Sequence, residues 1–243
     1  MRALLLSIFL FVSSVLVCQL ELPKFSADDT IIRHYSYSLS FNQKYHQANW
    51  VAYLLTPSLI NQSNRVKRSN NFKADPLIPG TDLTVDYYKS GYDRGHFVPA
   101  ADMAFSETAM KESFYYSNMS PQVASFNRGV WKKLETQVRN WTIEYDSLFV
   151  VTGPIFSDSM QVIGPHRVAV PKAYYKVLLK LKDVKSQGIG FVLKNESSKL
   201  PLQSFVLTID EVETITGIDF FPLLEDALEE NIESEVCFDC WML

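Results

Sequence analysis

Residues 92–135, YDRGHFVPAADMAFSETAMKESFYYSNMSPQVASFNRGVWKKLE, decide the fold. The segment from Tyr92 to Val98 is predicted to be extended, and Pro99 prevents it from continuing as an ordinary ladder strand. Ser106 supplies the cap of a first helix. Asn127 is predicted to begin a second helix, because apolar residues recur after it at three- and four-residue steps. The stretch therefore predicts a strand followed by two helices.

The rest of the chain supplies more strands than helices. A loop is predicted over the polar, basic residues 61–71. Thr208 and Glu211 form a predicted capping box for a helix that Gly217 ends, and a last helix is predicted over residues 222–235. Strands do not alternate regularly with helices, which favours an α+β fold with a mainly antiparallel central sheet flanked by helices. The predicted strands span residues 50–56, 147–156, 168–170, 174–181 and 189–193.

Length and composition are typical of a globular chain. The sequence has 243 residues, 47% of them hydrophobic, and a formal net charge of −4. We expect a single domain over residues 19–243. A negative net charge argues mildly against a protein that binds nucleic acid over its whole surface. It still permits a basic cleft, because phosphate groups interact with the charges close to them rather than with the net charge.

The N-terminal residues match a secretory signal peptide. Arg2 precedes an uncharged apolar run over residues 3–17, which is short for a membrane-spanning helix. We therefore expect a signal peptide over residues 1–18 and a secreted, lysosomal or vacuolar protein without membrane attachment after cleavage. An uncleaved membrane anchor is one alternative. A mitochondrial presequence is a second alternative, and it is disfavoured because the segment contains only one arginine.

Two cysteines lie at the C-terminal end of the sequence. Cys237 and Cys240 have the spacing CxxC, for which redox activity, half of a zinc site and a small disulfide are the alternatives. No second pair completes a zinc site. In an oxidising compartment a terminal disulfide is favoured.

The tetrapeptide DRGH carries the first chemical signal. Asp93, Arg94, Gly95 and His96 combine an acid, a guanidinium, a flexible backbone point and an imidazole. Histidine titrates nearest neutral pH and can take a proton from water. Arginine stays charged and forks onto phosphate oxygens. These groups suit attack on a phosphodiester, although four common residues also occur together by chance.

Three further residues could complete a catalytic site together with the tetrapeptide. Considered alone, Asn127 is typical of a helix cap, Glu135 of a solvated helix face and Arg68 of a basic surface loop. Hydrolysis of a phosphodiester needs a nucleophile, charge neutralisation and a protonated leaving group. Magnesium can neutralise charge with a single protein oxygen as ligand, and an asparagine carbonyl is such an oxygen. A nearby carboxylate can hold water around the ion.

Residues 92–135 resemble the DNA/RNA non-specific endonuclease family, the ββα-metal (His-Me finger) group that includes endonuclease G and secreted bacterial nucleases. The segments DRGH, SNM-PQ, FNRGxW and LE occur in order, and VVTGPIF at 150–156 and VP-AYYKV at 170–177 are also similar. The resemblance covers about residues 50–222. It implies a ββα-metal motif and an endonuclease that uses Mg²⁺, with Mn²⁺ as the alternative ion. It also implies DNA and RNA substrates, 5′-phosphate products and a homodimer as a candidate state.

The resemblance also implies roles for individual residues. His96 corresponds to the general base, Asn127 to the direct protein ligand of magnesium, and Arg94 to the arginine near the scissile phosphate. Glu135 corresponds to the carboxylate that positions water on the metal. Asp93 is expected to orient the motif by pairing with a neighbouring group.

Substrate contacts are expected from two arginines outside the catalytic set. Arg68 resembles the upstream phosphate-binding arginine of the family, with Lys67 and Arg65 open as alternatives. Arg128, next to the metal ligand, is expected to touch the substrate backbone.

Other classes of protein fit the sequence less well. A serine hydrolase should show a GxSxG elbow, which the sequence lacks. A zinc enzyme is disfavoured because His34, His46 and His166 do not have HExxH spacing. The remaining alternatives are a catalytically inactive nucleic-acid-binding member of the same fold and a phosphodiesterase for another substrate.

Overall fold

The structure, a computed structural model, describes residues 20–26, 29–181 and 186–243. The signal peptide predicted over residues 1–18 lies outside the described residues. Within these three ranges, no helix is both long enough and apolar enough to cross a membrane.

An antiparallel sheet of seven strands forms the centre of the protein. The described strands are β1 (Ile31–Arg33), β2 (Ser38–Asn42), β3 (Gln47–Leu55), β4 (Asp93–His96), β5 (Met119–Gln122), β6 (Leu148–Ile155), β7 (Gln161–Ile163), β8 (Val168–Val170), β9 (Ala173–Lys180), β10 (Gln187–Lys194) and β11 (Val206–Leu207). Seven of them pair antiparallel in the order β1-β2-β3-β6-β9-β10-β11. The predicted α+β fold with a mainly antiparallel sheet is confirmed.

The helices are short apart from one. They are α1 (Pro57–Ile60), α2 (Thr84–Tyr87), α3 (Glu107–Glu112), α4 (Ala124–Phe126), α5 (Lys132–Tyr145), α6 (Ile209–Thr216) and α7 (Asp226–Ser234). Ser106 caps α3 by accepting a hydrogen bond from the backbone of Ala109. The predicted capping box of Thr208 and Glu211 is present at α6, and Gly217 ends that helix in the left-handed conformation.

Helices cover both faces of the sheet. Along β3, Val51 and Tyr53 belong to one apolar cluster, whereas Trp50 and Ala52 belong to another, as the two-residue period of a strand requires. The first cluster is completed by α5 and the second by α6 and α7. The residues that these helices contribute are Leu134, Val138 and Trp141 from α5, Ile209 and Val212 from α6, and Ile232 from α7.

A smaller pair of strands stands apart from the main sheet. β4 and β5 pair antiparallel, with His96 opposite Met119 and Asp93 opposite Gln122. Residues 97–118, which include α3, connect β4 to β5, and the chain then passes directly from β5 into α4.

The helical segment after β5 does not begin at Asn127, as the sequence predicted. It begins three residues earlier with α4, and residues Asn127–Trp131 form a π-helical turn that leads into α5 and is kinked at Gly129, whose backbone is not helical. The apolar repeat that marks a helix starts only at Val130, so the turn before it leaves no periodic signal. The last helix is also shorter than predicted, because Glu225 caps it and α7 ends at Ser234.

Charge is divided along the sequence and between the faces of the sheet. All 23 lysines and arginines precede Leu200, and every charged side chain from there to the C-terminus is acidic. The net charge of −4 therefore combines a positive main part with a negative C-terminal part. The acidic α6 and α7 lie on the opposite face of the sheet from α5.

Candidate active site

All seven predicted site residues line one cleft with a volume of about 600 Å³. Strand β4 contributes three of them, the π turn two, α5 one, and the loop before β4 one. They are Arg68, Asp93, Arg94, His96, Asn127, Arg128 and Glu135. The structure therefore brings residues that lie between positions 68 and 135 of the sequence to a single surface.

His96 lies at the end of β4 and is almost fully buried, with 7% of its surface exposed. Its ring centroid lies 4.9 Å from that of Phe114 and 5.8 Å from that of Phe72, with the rings edge to face. Burial and, to a smaller extent, the positive charge of Arg68 lower the pKa of His96 to about 3, against the opposing effect of a hydrogen bond to the backbone of Arg94. The imidazole is therefore neutral near pH 7, the form that accepts a proton.

The Nε2 atom of His96 is buried and has no hydrogen-bond partner among the residues that the structure describes. The hydrogen bond to the backbone of Arg94 therefore involves the other ring nitrogen. When Nδ1 donates a proton in a neutral imidazole, Nε2 carries the lone pair. Buried polar atoms without a partner are rare, so this atom indicates the place where a ligand group binds.

Asp93 joins β4 to the π turn. Its carboxylate accepts a hydrogen bond from Asn127 Nδ2 at 2.9 Å and two from Arg128, at 2.8 Å and 2.6 Å. Burial acts to raise the pKa of Asp93, but the bonds from Arg128 and Asn127 outweigh it and lower the pKa. Since a carboxylate only accepts, the amide nitrogen of Asn127 must face Asp93, which leaves the carbonyl oxygen for another partner.

Arg128 has a different environment from the one expected for a substrate contact alone. Its guanidinium is held by Asp93, although 72% of its side chain remains exposed at the cleft. The neighbouring group that was expected to pair with Asp93 is thus Arg128 together with Asn127.

Packing explains the glycine at position 95, whereas the sequence predicted that it would provide backbone flexibility. It lies in the regular strand β4, and a Cβ atom at this position would overlap the side chain of Gln122. Gln122 is fully buried on β5. Glycine at this position therefore lets the two strands and the buried amide approach closely.

Two arginines lie against aromatic rings at the cleft. The Arg94 guanidinium carbon is 4.4 Å from the ring centre of Phe72, and that of Arg68 is 4.9 Å from the ring centre of Phe114. Arg68 also donates a hydrogen bond from Nε to Asn70 at 2.8 Å. These contacts hold both guanidinium groups, and with them their positive charge, at the cleft.

The two alternatives to Arg68 do not line this cleft. Arg65 donates hydrogen bonds to the backbone carbonyls of Ile60 and Ala101. Lys67 borders a separate cavity beside α3. The geometry therefore favours Arg68 over both.

Glu135, in the first turn of α5, is not on a solvated helix face. Burial raises its pKa to about 7, and Lys176 acts in the opposite direction. Lys176 is itself buried on β9, and burial lowers its pKa to about 8. Behind Glu135, Asp102 accepts hydrogen bonds from Arg139 at 2.9 Å and from Tyr53 at 3.0 Å. A buried network of charges thus supports the wall of the cleft.

The sequence interpretation missed this supporting network. Lys176 lies in the middle of the mainly apolar strand AYYKVLLK, and a lysine at this position is a signal that could have indicated a buried charge beside an acidic group. Phe72 lies in a polar loop, where nothing in the local pattern marks it as a contact of both His96 and Arg94.

The strand pair β4–β5, the helical segment behind it and the cleft that they form are those of a ββα-metal nuclease. The sequence profile of the DNA/RNA non-specific endonuclease family matches residues 19–227, more than the expected residues 50–222. The chain belongs to this family of metal-dependent endonucleases, and the resemblance found in residues 92–135 is confirmed.

Individual relatives are similar over most of the chain. The mitochondrial nuclease EXOG of Danio rerio is 36% identical over 217 residues, which cover 82% of this chain and 62% of that protein. Nuclease C1 of Cunninghamella echinulata var. echinulata is 35% identical, with 83% and 85% covered. Mitochondrial endonuclease G of Homo sapiens is 32% identical, with 77% and 68% covered.

A solved structure gives the same result. One chain of the crystal structure of the EndoG/EndoGI complex, which was solved to explain EndoG inhibition, superposes on this protein with a TM-score of 0.77 at 33% sequence identity. The match covers 83% of this chain and 89% of that one.

Proposed function

We propose that this protein is a magnesium-dependent, sugar non-specific endonuclease that hydrolyses DNA and RNA to 5′-phosphate ends. One observation carries the proposal. The neutral His96 has a buried, unpartnered Nε2 in a cleft that also contains two arginines and the carbonyl oxygen of Asn127.

The residues of the cleft fit a hard divalent cation. Asp93 fixes the amide of Asn127 so that its oxygen remains available, and Mg²⁺ prefers oxygen ligands and keeps most of its waters. Asn127 would hold the ion, with Glu135 nearby to bind water of its shell. When bound, the cation offsets the negative charge that develops on phosphate and leaving-group oxygens. Mn²⁺ would meet the same oxygen ligands.

His96 performs the proton transfer in this proposal. Its Nε2 takes a proton from a water molecule, and the resulting hydroxide attacks phosphorus. The bond between phosphorus and the 3′-oxygen then breaks, which leaves a 5′-phosphate, and the 3′-oxygen takes a proton from water to become a hydroxyl. Burial keeps the imidazole neutral before this step, so no prior deprotonation is needed near pH 7. Arg94 and Arg68 bind the phosphate oxygens and favour the extra charge of the transition state.

The same geometry supports weak sequence preference. The charged groups at the cleft are suited to phosphate, and phosphate contacts position a nucleic acid without reading its bases. The positive part of the chain carries the cleft, which supports binding of a polyanion in spite of the overall charge of −4.

Purified His96→Ala and Asn127→Ala variants test the proposal on plasmid DNA and on single-stranded RNA, with Mg²⁺ and then with chelator. Both should lose at least about 100-fold in rate. Asn140→Ala, on the exposed side of α5, is the control for Asn127→Ala and should keep the wild-type rate. Wild-type turnover by His96→Ala, or turnover in chelator, would contradict the proposal.

The same assays separate the alternatives. A catalytically inactive binding member would retard nucleic acid in a gel without cutting it. A phosphodiesterase for another substrate would turn over a small diester but neither polymer. The proposed homodimer is checked by light scattering on the eluting protein, where the mass of a single chain, at most 27.8 kDa, would refute it.

For the cellular compartment we keep secretion, or delivery to a lysosome or vacuole, as the proposal and mitochondria as the alternative. The uncharged run after Arg2 and the disulfide between Cys237 and Cys240 support the secretory route. The mitochondrial names of several relatives favour the alternative. Sequencing the mature N-terminus, with removal of N-glycans from the exposed sequons at Asn61 and Asn140, decides between them. Absence of glycan and co-purification with mitochondria would overturn the proposal.

A further inference from the structure

The helices α6 and α7 hold a second group of acidic side chains on the face of the sheet opposite α5. They approach β10 closely at Gly188, where a Cβ atom would lie 2.5 Å from Ile209 and 2.8 Å from Ile232. Because Ile209 and Ile232 are clamped against the sheet, the residues that follow them, Asp210 and Glu233, are held in fixed positions between the two helices.

Three carboxylates meet between these helices. One oxygen from each of Asp210, Glu213 and Glu233 lies within 4.8 Å of the others. Asp210 is exposed, Glu213 is half-buried and Glu233 is only 6% exposed, so the group has a buried floor and an open side. Glu213 uses one oxygen to accept a hydrogen bond from the backbone of Phe220 at 2.6 Å, which fixes its orientation.

The floor of this group contains an atom that nothing in the described chain satisfies. Glu233 Oε1 is buried and has no hydrogen-bond partner among the described residues. Buried carboxylate oxygens are normally hydrogen-bonded or bound to a metal ion. The atom is therefore an independent indication that the group of carboxylates receives a ligand.

The surrounding charge is negative. Burial, together with the negative charges of Glu213, Glu229, Asp210 and Asp219, raises the pKa of Glu233 to about 9. Lys24 pairs with Asp219 at 2.9 Å, but its side chain is 71% exposed. An added cation would relieve this repulsion and stabilise the ionised carboxylates.

We propose that Asp210, Glu213 and Glu233 bind a hard divalent cation, Ca²⁺ in preference to Mg²⁺, at a site separate from the nuclease cleft. Oxygen atoms spaced by up to 4.8 Å can share a Ca²⁺ ion at about 2.3–2.6 Å from each. Ca²⁺ accepts irregular carboxylate ligands and completes its shell with water from the exposed side, whereas Mg²⁺ demands a regular octahedron. The ion would tie α6 to α7 and stabilise the C-terminal third of the fold.

Thermal unfolding of the full-length mature protein with CaCl₂, against NaCl of equal ionic strength, tests the site. At a Ca²⁺ concentration ten times the Kd, the wild type should gain about 3–6 °C in Tm. Glu213→Gln and Asp210→Asn should lose that gain. Glu230→Gln, an exposed glutamate on α7, is the matched control and should retain it.

The Asn127→Ala variant separates this site from the cleft, because the readout needs no nuclease activity. It should keep the Ca²⁺ response, and calorimetric titration of this variant should count one bound Ca²⁺. A wild type without a Ca²⁺-specific gain, or a gain that Asn127→Ala abolishes and Glu213→Gln retains, would overturn the proposal. If Glu233 is simply a neutral buried acid, Glu233→Gln will match the wild-type Tm and Ca²⁺ will change neither protein, which also overturns it.

Discussion

Replacement of Gly95 by alanine should damage both stability and catalysis, because Gln122 occupies the space that a side chain would need. A Cβ atom would come far closer than 3.0 Å to Gln122 Cδ and Oε1, so the buried amide or one of the two strands must shift. Overpacking of this kind costs about 1–3 kcal/mol. For a domain of this size each kcal/mol lowers Tm by about 2–4 °C.

The catalytic loss should exceed the loss of stability. Gly95 lies between Arg94 and His96 on the strand that also positions Asp93, and a displacement of about 1 Å at a reacting group can cost about 100-fold in rate. The assays are urea unfolding and kcat/KM on plasmid DNA under conditions in which the variant stays folded.

A double-mutant cycle identifies the cause. Gln122→Ala opens the space beside residue 95, so Gly95→Ala combined with Gln122→Ala should be less destabilised than the sum of the two single variants, by about 0.5–3 kcal/mol. The argument fails if Gly95→Ala has wild-type stability and activity, or if the two effects simply add.

Three further substitutions address the electrostatics and packing around the site. Burial raises the pKa of Glu135 to about 7, so activity that needs the ionised carboxylate should rise with pH through about 7, and Glu135→Gln should remove that limb from the pH profile of kcat/KM. Glu135 loses its proton near pH 4.5 in the unfolded chain and near pH 7 in the folded protein, so the free energy of unfolding falls as the pH rises through this range. Glu135→Gln should therefore have a higher Tm than the wild type at pH 8. An unchanged Tm would contradict the assignment. Asp93→Asn should keep the fold but raise the Mg²⁺ concentration for half-maximal activity by about 10–100-fold, because the amide of Asn127 loses its anchor; an unchanged Mg²⁺ dependence would exclude this role. Trp241→Ala should cost about 3–5 kcal/mol in urea unfolding, because this fully buried ring packs at 5.1 Å on Trp141; a cost below about 1 kcal/mol would show that the C-terminal tail is dispensable.

Much of the fold followed from local sequence patterns. The strand and cap signals gave the large antiparallel sheet, the cap at Ser106 and the capping box at Thr208, because these depend on residues close in sequence. The start of the helical segment before Asn127 could not be predicted, because a π turn has no periodic apolar signal.

The candidate site was predicted residue by residue, but the reasons for its geometry were not. Three of its residues, Asp93, Arg94 and His96, come from one short motif, so they could be placed together without knowing the fold. Among the charged partners of Glu135, Arg139 lies one turn further along the same helix, whereas the buried Lys176 comes from the distant strand β9. Their contacts depend on tertiary packing, which a single sequence does not encode in any local pattern. The packing of Gln122 on Gly95 is of the same kind.

The division of charge along the chain gives the molecule an electric dipole as well as a net charge. Its negative end is the surface of α6 and α7, and its positive side is the part that carries the cleft. In the field of a polyanion such a molecule rotates before contact, so the acidic helices turn away and the cleft turns towards the phosphates. The overall charge of −4 would then slow binding of the nucleic acid to surfaces other than the cleft, without slowing its approach to the cleft. This orienting effect should weaken as added salt shortens the range of the field.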